Sequence, residues 1–419
     1  MLSAPLQESM VARKSSQKVA WLIWIAHFAF ITRHKIFERS RLDFDTLDAY
    51  AAADVLVVSI LIIILLISSK TSQFLSSVYK LSAFWLLLYY LLCALSATWS
   101  LRPVYSFYRS IEFMVFFVSL VVALSYSGDF EKAEKRVLFL ATLSVFVQMG
   151  QHMREGIPLS LTAWHTNAYS ASAAVIFVYC AGEYMALVKE KLCEDRSRRK
   201  MLFIYGCMSL SLLALGTSSG SNVAALIGLV IILLVQRKIG LMMVIIFASI
   251  PFFILSGGID MLMQVIFPLK SEQAIETLGG RMMVWNYYYE RIADSPLLGY
   301  GLGVSPTTGG WVWMTYSHNF VISILMGTGL LGFFIFFLFL IKLAAELIRA
   351  LRGNIKGSMG IMAAMAAGFV NSLAMPMIAD RWFTASFAFL SFFALFILYV
   401  YTRSFQSPSL PSSELPKHS

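Results

Sequence analysis

Residues 279–332 read GGRMMVWNYYYERIADSPLLGYGLGVSPTTGGWVWMTYSHNFVISILMGTGLLG. They form the longest polar interruption in a chain otherwise made of long apolar runs and short polar loops. Arg281, Trp285, Tyr288 and Ile292 follow the spacing i, i+4, i+7, i+11, which predicts a short helix with all four on one face. Pro296 ends that helix, and Gly299, Gly301 and Gly303 supply turns that a residue with a Cβ resists. His318-Asn319 then heads the next apolar run. A guanidinium and an imidazole are thereby expected at one membrane surface, as in a site.

Composition frames this stretch. Of 419 residues, 58% are hydrophobic and 13% charged, with a mean hydropathy of +0.73. Soluble domains average about 25% charged, so the expected class is an all-α integral membrane protein. Spans of about 20 apolar residues are read near 19–36, 49–69, 81–98, 107–126, 137–152, 168–188, 201–217, 222–236, 240–256, 318–341, 359–376 and 383–402. That makes about twelve transmembrane helices, with a periplasmic loop containing short helices between the ninth and tenth. In the first span only 14 residues separate Lys18 from Arg33, and a signal peptide is its alternative, although no small-x-small cleavage site follows Thr32. The net charge of +10 does not indicate nucleic acid, because the basic residues sit in loops between apolar runs. Cys93, Cys180, Cys193 and Cys207 show neither metal-ligand spacing nor a disulfide framework.

Basic residues set the orientation. With both termini cytoplasmic, inside segments carry twice the Lys and Arg of outside segments. The block KEKLCEDRSRRK (Lys189–Lys200) is the firmest cytoplasmic anchor, whereas RHKIFERSR (Arg33–Arg41) falls on the wrong side. The expected organisation is a cytoplasmic tail over 1–16, a membrane domain over 17–404 with its main outer loop at 257–317, and a disordered Ser/Pro-rich cytoplasmic tail over 405–419.

The outer face holds the candidate chemistry. Arg281 suits bidentate phosphate binding or, more plainly, snorkels to head groups. His318 can accept a proton near neutral pH, or it belongs to a helix-capping cluster with Ser317 and Asn319. His165 and Asn167 repeat the His/Asn theme before the sixth span, where a helix cap is the simpler reading. Arg109 lies three residues before Glu112, and pairing and function are equally open. Arg381 beside Asp380 reads as a solvated pair. Ser219 lies in the segment GTSSGSN (Gly216–Asn222), which could hold a sugar or simply turn a hairpin. Trp285 and Tyr288, with Trp311 and Trp313, offer faces to sugars or to the membrane interface. GYGLG lacks the strand a nucleotide loop needs, and no HExxH, carboxylate cluster or Gly-x-Ser-x-Gly elbow is present. Hydrolytic and metal-dependent chemistries are therefore weak readings, and no cofactor is expected.

The pattern GGRMMVWNYYYERIADSPLLGYGLG followed by SHNFVISILMGTGLLGF resembles the shared region of the O-antigen ligase and O-antigen/exopolysaccharide polymerase family. LSATWSLRP (Leu95–Pro103) and WHTNAYSASA (Trp164–Ala173) are similar to its lesser landmarks, so the resemblance spans roughly residues 81–340. It implies a metal-independent inner-membrane glycosyltransferase acting at the periplasmic face. The implied donor is an undecaprenyl-diphosphate-linked glycan, and the acceptor is a lipid-linked glycan or lipid A–core. Membrane lipids and other polysaccharide export proteins are the further expected partners. Carried over, the family's loop arginine falls on Arg281 for the diphosphate, and its His-Asn histidine on His318 for the acceptor hydroxyl. Two departures stand out. Ser219 lies near the position where many ligases carry an arginine, which leaves Arg109 or Arg381 to compensate, and Gly327 replaces a common glutamate. A polymerase is the leading expectation and the ligase its alternative. From another class, a lipid-linked oligosaccharide transporter or flippase should show paired half-helices or charges near the bilayer centre.

Overall fold

The computed structural model describes residues 17–31, 49–154, 167–189, 196–216, 218–238, 281–304, 317–378 and 384–406. Side chains are described throughout these except at 49–51, 151–154, 167–168, 189 and 400–406. The helices in chain order are α1 (Gln17–Ile31), α2 (Ala49–Ile67), α3 (Ser69–Leu75), α4 (Ser82–Leu95), α5 (Pro103–Ser125), α6 (Phe130–Arg154) and α7 (Asn167–Lys189). They continue as α8 (Arg196–Gly216), α9 (Ser219–Val235), α10 (Arg281–Asp294), α11 (Phe320–Arg352), α12 (Ser358–Ser372) and α13 (Thr384–Gln406). No strand occurs among the described residues, as expected where backbone groups must be satisfied within each segment.

Four of these helices are long and apolar enough to cross a membrane, and the bent pair α2–α3 makes a fifth. The expected count of about twelve is thus not reached among the described residues. Part of the reason is local. The second expected span bends by 82° at Ser68, whose hydroxyl meets that of Tyr126 at 2.8 Å. The fifth expected span starts earlier, at Phe130, and takes the charged segment FEKAEKR into its helix. Others, such as α9 and α12, are shorter apolar helices of 17 and 15 residues. The expected ninth span, 240–256, lies outside the described residues.

Helix α7 is the hub, packed against α8, α9, α12 and α13. Small residues let the backbones approach, as is usual where dispersion rather than water drives helix packing. A Cβ on Gly182 of α7 would stand 3.0 Å from the Gly360 Cα of α12. At one end of the hub, Arg198 of α8 donates from Nε and Nη2 to Glu134 of α6, both at 2.7 Å, and from Nη2 to Glu183 of α7 at 2.7 Å. Glu134 also accepts from the Tyr179 hydroxyl at 2.5 Å. Glu183 accepts from the backbone N–H groups of Gly357 and Gly360, which open α12, at 3.0 and 2.8 Å. Four helices therefore share one buried, fully hydrogen-bonded set of charges, the arrangement buried ions need.

Helix α1, the first expected span, docks into the main core through Ile23, Trp24 and Phe30. Its His27 is fully buried, 2.8 Å from the Ser119 hydroxyl of α5 and edge-on to Phe116.

Candidate functional site at the α10–α11 junction

Helix α10 lies on the start of α11. Val284 and Tyr288 pack against Ile322 and Met326, with Trp285, Tyr287, Ile292 and Tyr300 around them. The expected shared face is thus real, and its first use is packing. Tyr288 is buried in the seam, so its ring serves the helix contact rather than an open platform. Trp285 donates its indole N–H to the Ser317 carbonyl at 2.7 Å, which pins α10 to the residue just before His318.

His318 sits in a tightly determined turn. Its φ is +53°, uncommon for a residue with a Cβ and worth attention where neighbours enforce it. Those neighbours are fixed on both sides. The Ser317 hydroxyl donates to the Asn319 carbonyl at 2.8 Å and lies 2.7 Å from the Ser323 hydroxyl. The Asn319 side chain caps α11, accepting from the N–H groups of Val321 and Ile322 at 2.9 and 3.4 Å. The capping cluster foreseen as the plain reading is present, and it fixes the residues on both sides of His318.

Arg281 opens α10 half-buried, with no carboxylate partner among the described residues. Burial holds its guanidinium below the usual arginine range. Burial, and then the charge of Arg281, pushes His318 down to about 4. The imidazole is therefore neutral at pH 7, beside a fixed cation. The start of α10 is tied to the residues just before α11, since Trp285 reaches the Ser317 carbonyl and the Arg281 charge acts on His318, and helix N-termini favour anions.

Further along, α11 is broken at Gly329 (φ +61°, ψ −159°), a region of backbone space almost reserved for glycine. The loop after α10 fills the break. Tyr300 and Gly301 donate their N–H groups to the carbonyls of Met326 and Gly327, both at 2.8 Å. Leu330 and Leu331 donate theirs to the carbonyls of Pro296 and Leu297, at 2.8 and 3.2 Å. A Cβ on Gly299 would lie 2.5 Å from the Met326 oxygen, so close backbone approach accounts for that glycine. The upstream segment Leu95–Pro103 and the first turn of α5 seal the other side of the loop. Trp99 donates its indole N–H to the Leu298 carbonyl at 3.0 Å, and the Ser106 hydroxyl donates to the Leu302 carbonyl at 3.1 Å. Neither side chain was singled out from sequence, since only the fold reveals their partners.

The remaining candidates are scattered. Arg109 is buried about two turns into α5, paired with Glu112 and lying over the rings of Tyr105 and Tyr108. Its structural alternative is therefore the observed one. Ser219 begins α9 rather than standing in a turn, and its buried hydroxyl has no hydrogen-bond partner among the described residues. Asn167 begins α7, with its side chain outside the description. His165 and Arg381 lie outside the described residues, as do Trp311 and Trp313. Among the described residues, no three His, Cys, Asp or Glu side chains gather in a metal-holding group.

Residues 203–337 match the family described as O-Antigen ligase. The matched stretch runs from α8 into α11 and contains Arg281, the glycine loop, His318 and the break at Gly329. Over that stretch the chain is similar to the O-antigen ligase and polymerase family, whose chemistry is glycosyl transfer from a lipid-linked glycan to an acceptor. The apolar helices agree with a membrane protein of that kind. The segment Leu95–Pro103 falls outside the match, yet it packs on the family's glycine loop. No curated protein matches the chain.

Proposed function

We propose that this protein is a metal-independent glycosyltransferase of the inner membrane, with about twelve spans, both termini cytoplasmic and its active face periplasmic. It transfers a glycan from undecaprenyl diphosphate to a sugar hydroxyl, most simply to extend exopolysaccharide or O-antigen repeats. One observation carries the reading: a neutral His318 beside a partly desolvated Arg281 that has no carboxylate partner among the described residues, at the junction of α10 with the start of α11. Arg281 takes the diphosphate, whose negative charge offsets the repulsion that helps keep His318 unprotonated. The acceptor oxygen attacks the anomeric carbon and gives its proton to His318, while the carbon–oxygen bond to the diphosphate breaks. The leaving group departs with that electron pair onto Arg281. Arg281 thereby fills the cationic role that a metal fills elsewhere. Arg109, committed to Glu112, acts through packing, and Ser219 is the polar group proposed to face the glycan.

The alternative within the same chemistry is transfer to lipid A–core, favoured by the description of the matched family. A transport reading is weakened because the chain's own loop fills the break in α11. The lipid-linked pool of a deletion strain tests these readings. Accumulated single repeat units are expected for the polymerase. Long undecaprenyl-linked chains with uncapped lipid A–core would replace it with the ligase, and an unchanged pool would refute transfer altogether.

A further inference from the structure

A cavity of about 1140 Å³ opens between α6 and α8, and neither Arg281 nor His318 lines it. The two helices begin side by side, because Arg198 in the first turn of α8 bonds to Glu134 in the first turns of α6. Their starting ends carry the charged rim of the cavity. Most of that rim is self-satisfied: Lys132 meets Asp129 at 2.6 Å, Lys356 meets Glu131 at 2.5 Å, and Arg198 meets Glu134 at 2.7 Å. Lys135 and Lys200, both exposed, have no carboxylate partner among the described residues. They face the cavity from opposite helices.

Beyond the rim the lining is apolar: Phe139, Leu143 and Phe146 from α6, Ile204 and Met208 from α8. Phe139 is 50% exposed and Phe146 41%, and only 28% of the α8 span is covered by protein. The groove therefore opens sideways, toward the bilayer. At 1.5 Å per residue, Phe146 lies roughly 16 Å beyond Lys135, about half of a hydrocarbon core of about 30 Å. Two exposed cations at the head-group level, above an apolar trough one leaflet deep, match one kind of molecule.

We propose that this groove is a binding site for an anionic diacyl phospholipid of the surrounding leaflet. Its phosphate lies between Lys135 and Lys200, and an acyl chain runs along Phe139, Phe146, Ile204 and Met208. Basic pockets between membrane helices recognise acidic head groups in this way. The site is independent of the transfer chemistry, and nothing in it uses Arg281 or His318.

The test is native mass spectrometry of the full chain released from detergent, titrated separately with dioleoyl-phosphatidylglycerol and dioleoyl-phosphatidylcholine. The wild type is expected to retain phosphatidylglycerol in preference. The double variant Lys135→Ala/Lys200→Ala should need roughly 30-fold more of it for equal occupancy. Ile204→Trp keeps both lysines but fills the trough, and it should lose the lipid as well. The exposed Arg352→Ala, outside the groove, should retain it. Equal retention of both lipids by the wild type would overturn the proposal. So would unchanged retention in the double variant, or equal loss in Arg352→Ala.

Discussion

Two arginines in this protein are taken out of water in opposite ways. Arg198 is buried among Glu134, Glu183 and the start of α12, with each charge answered by hydrogen bonds. Arg281 is half-buried at the head of α10 with no carboxylate among the described residues to answer it. A paired buried cation ties helices together, and an unpaired one keeps an open demand for an anion. The contrast separates architecture from chemistry within one residue type.

The sharpest way to break this comparison is to remove each arginine and read stability and transfer separately. Arg198→Met leaves Glu134 and Glu183 buried without their cation, which should cost about 3–5 kcal/mol. The expected result is loss of a monodisperse, cooperatively melting protein in detergent; a near-normal melting midpoint would demote the network. Arg281→Lys keeps the charge but removes the planar fork, so melting should hardly change. Its transfer rate should fall roughly tenfold to a hundredfold, the scale of a charged hydrogen bond. Wild-type transfer in excess EDTA should be unchanged in the same assay, and wild-type rates for Arg281→Lys would sink the anion role.

Gly329→Ala sharpens the comparison from the structural side of the site. Its backbone lies where a Cβ is strained, and the added atom would overlap the Leu297 carbonyl. A loss of about 1–3 kcal/mol is expected, seen as a lower melting midpoint and faster proteolysis of the loop after α10. The smallest effect concerns His318. With a folded value of about 4 against 6.5 when unfolded, the unfolded chain binds a proton between those values that the folded chain does not. Stability should therefore rise with pH across that window. The acid limb of kcat/KM should fall near pH 4; a limb near 6.5 would mean that His318 is neither desolvated nor influenced by Arg281.

How much of this was legible in the sequence depended on the range of each interaction. Arg281, Trp285, Tyr288 and Ile292 share a helical face because helical spacing is local, and the structure keeps them there. The Ser317–Asn319 cap was readable for the same reason. Arg198 was not: inside KEKLCEDRSRRK it looks like a solvated anchor, and Glu134 lies 64 residues away. His27 was equally hidden, since Ser119 is 92 residues distant. Gly329 sits within a run that reads as continuous helix. Its break is specified by Pro296 and Leu297, so only the pairing of two segments exposes it.

That pairing also acts as a ruler. Pro296 and Leu297 hold one side of the break in α11, and Tyr300 and Gly301 hold the other. The stretch between them, Leu298-Gly299, is therefore measured against Thr328-Gly329 in the helix. One residue added to or removed from either stretch puts one pair of bonds out of reach while the other stays closed. The loop can tolerate many changes of side chain along its outer edge. It cannot tolerate a change of length.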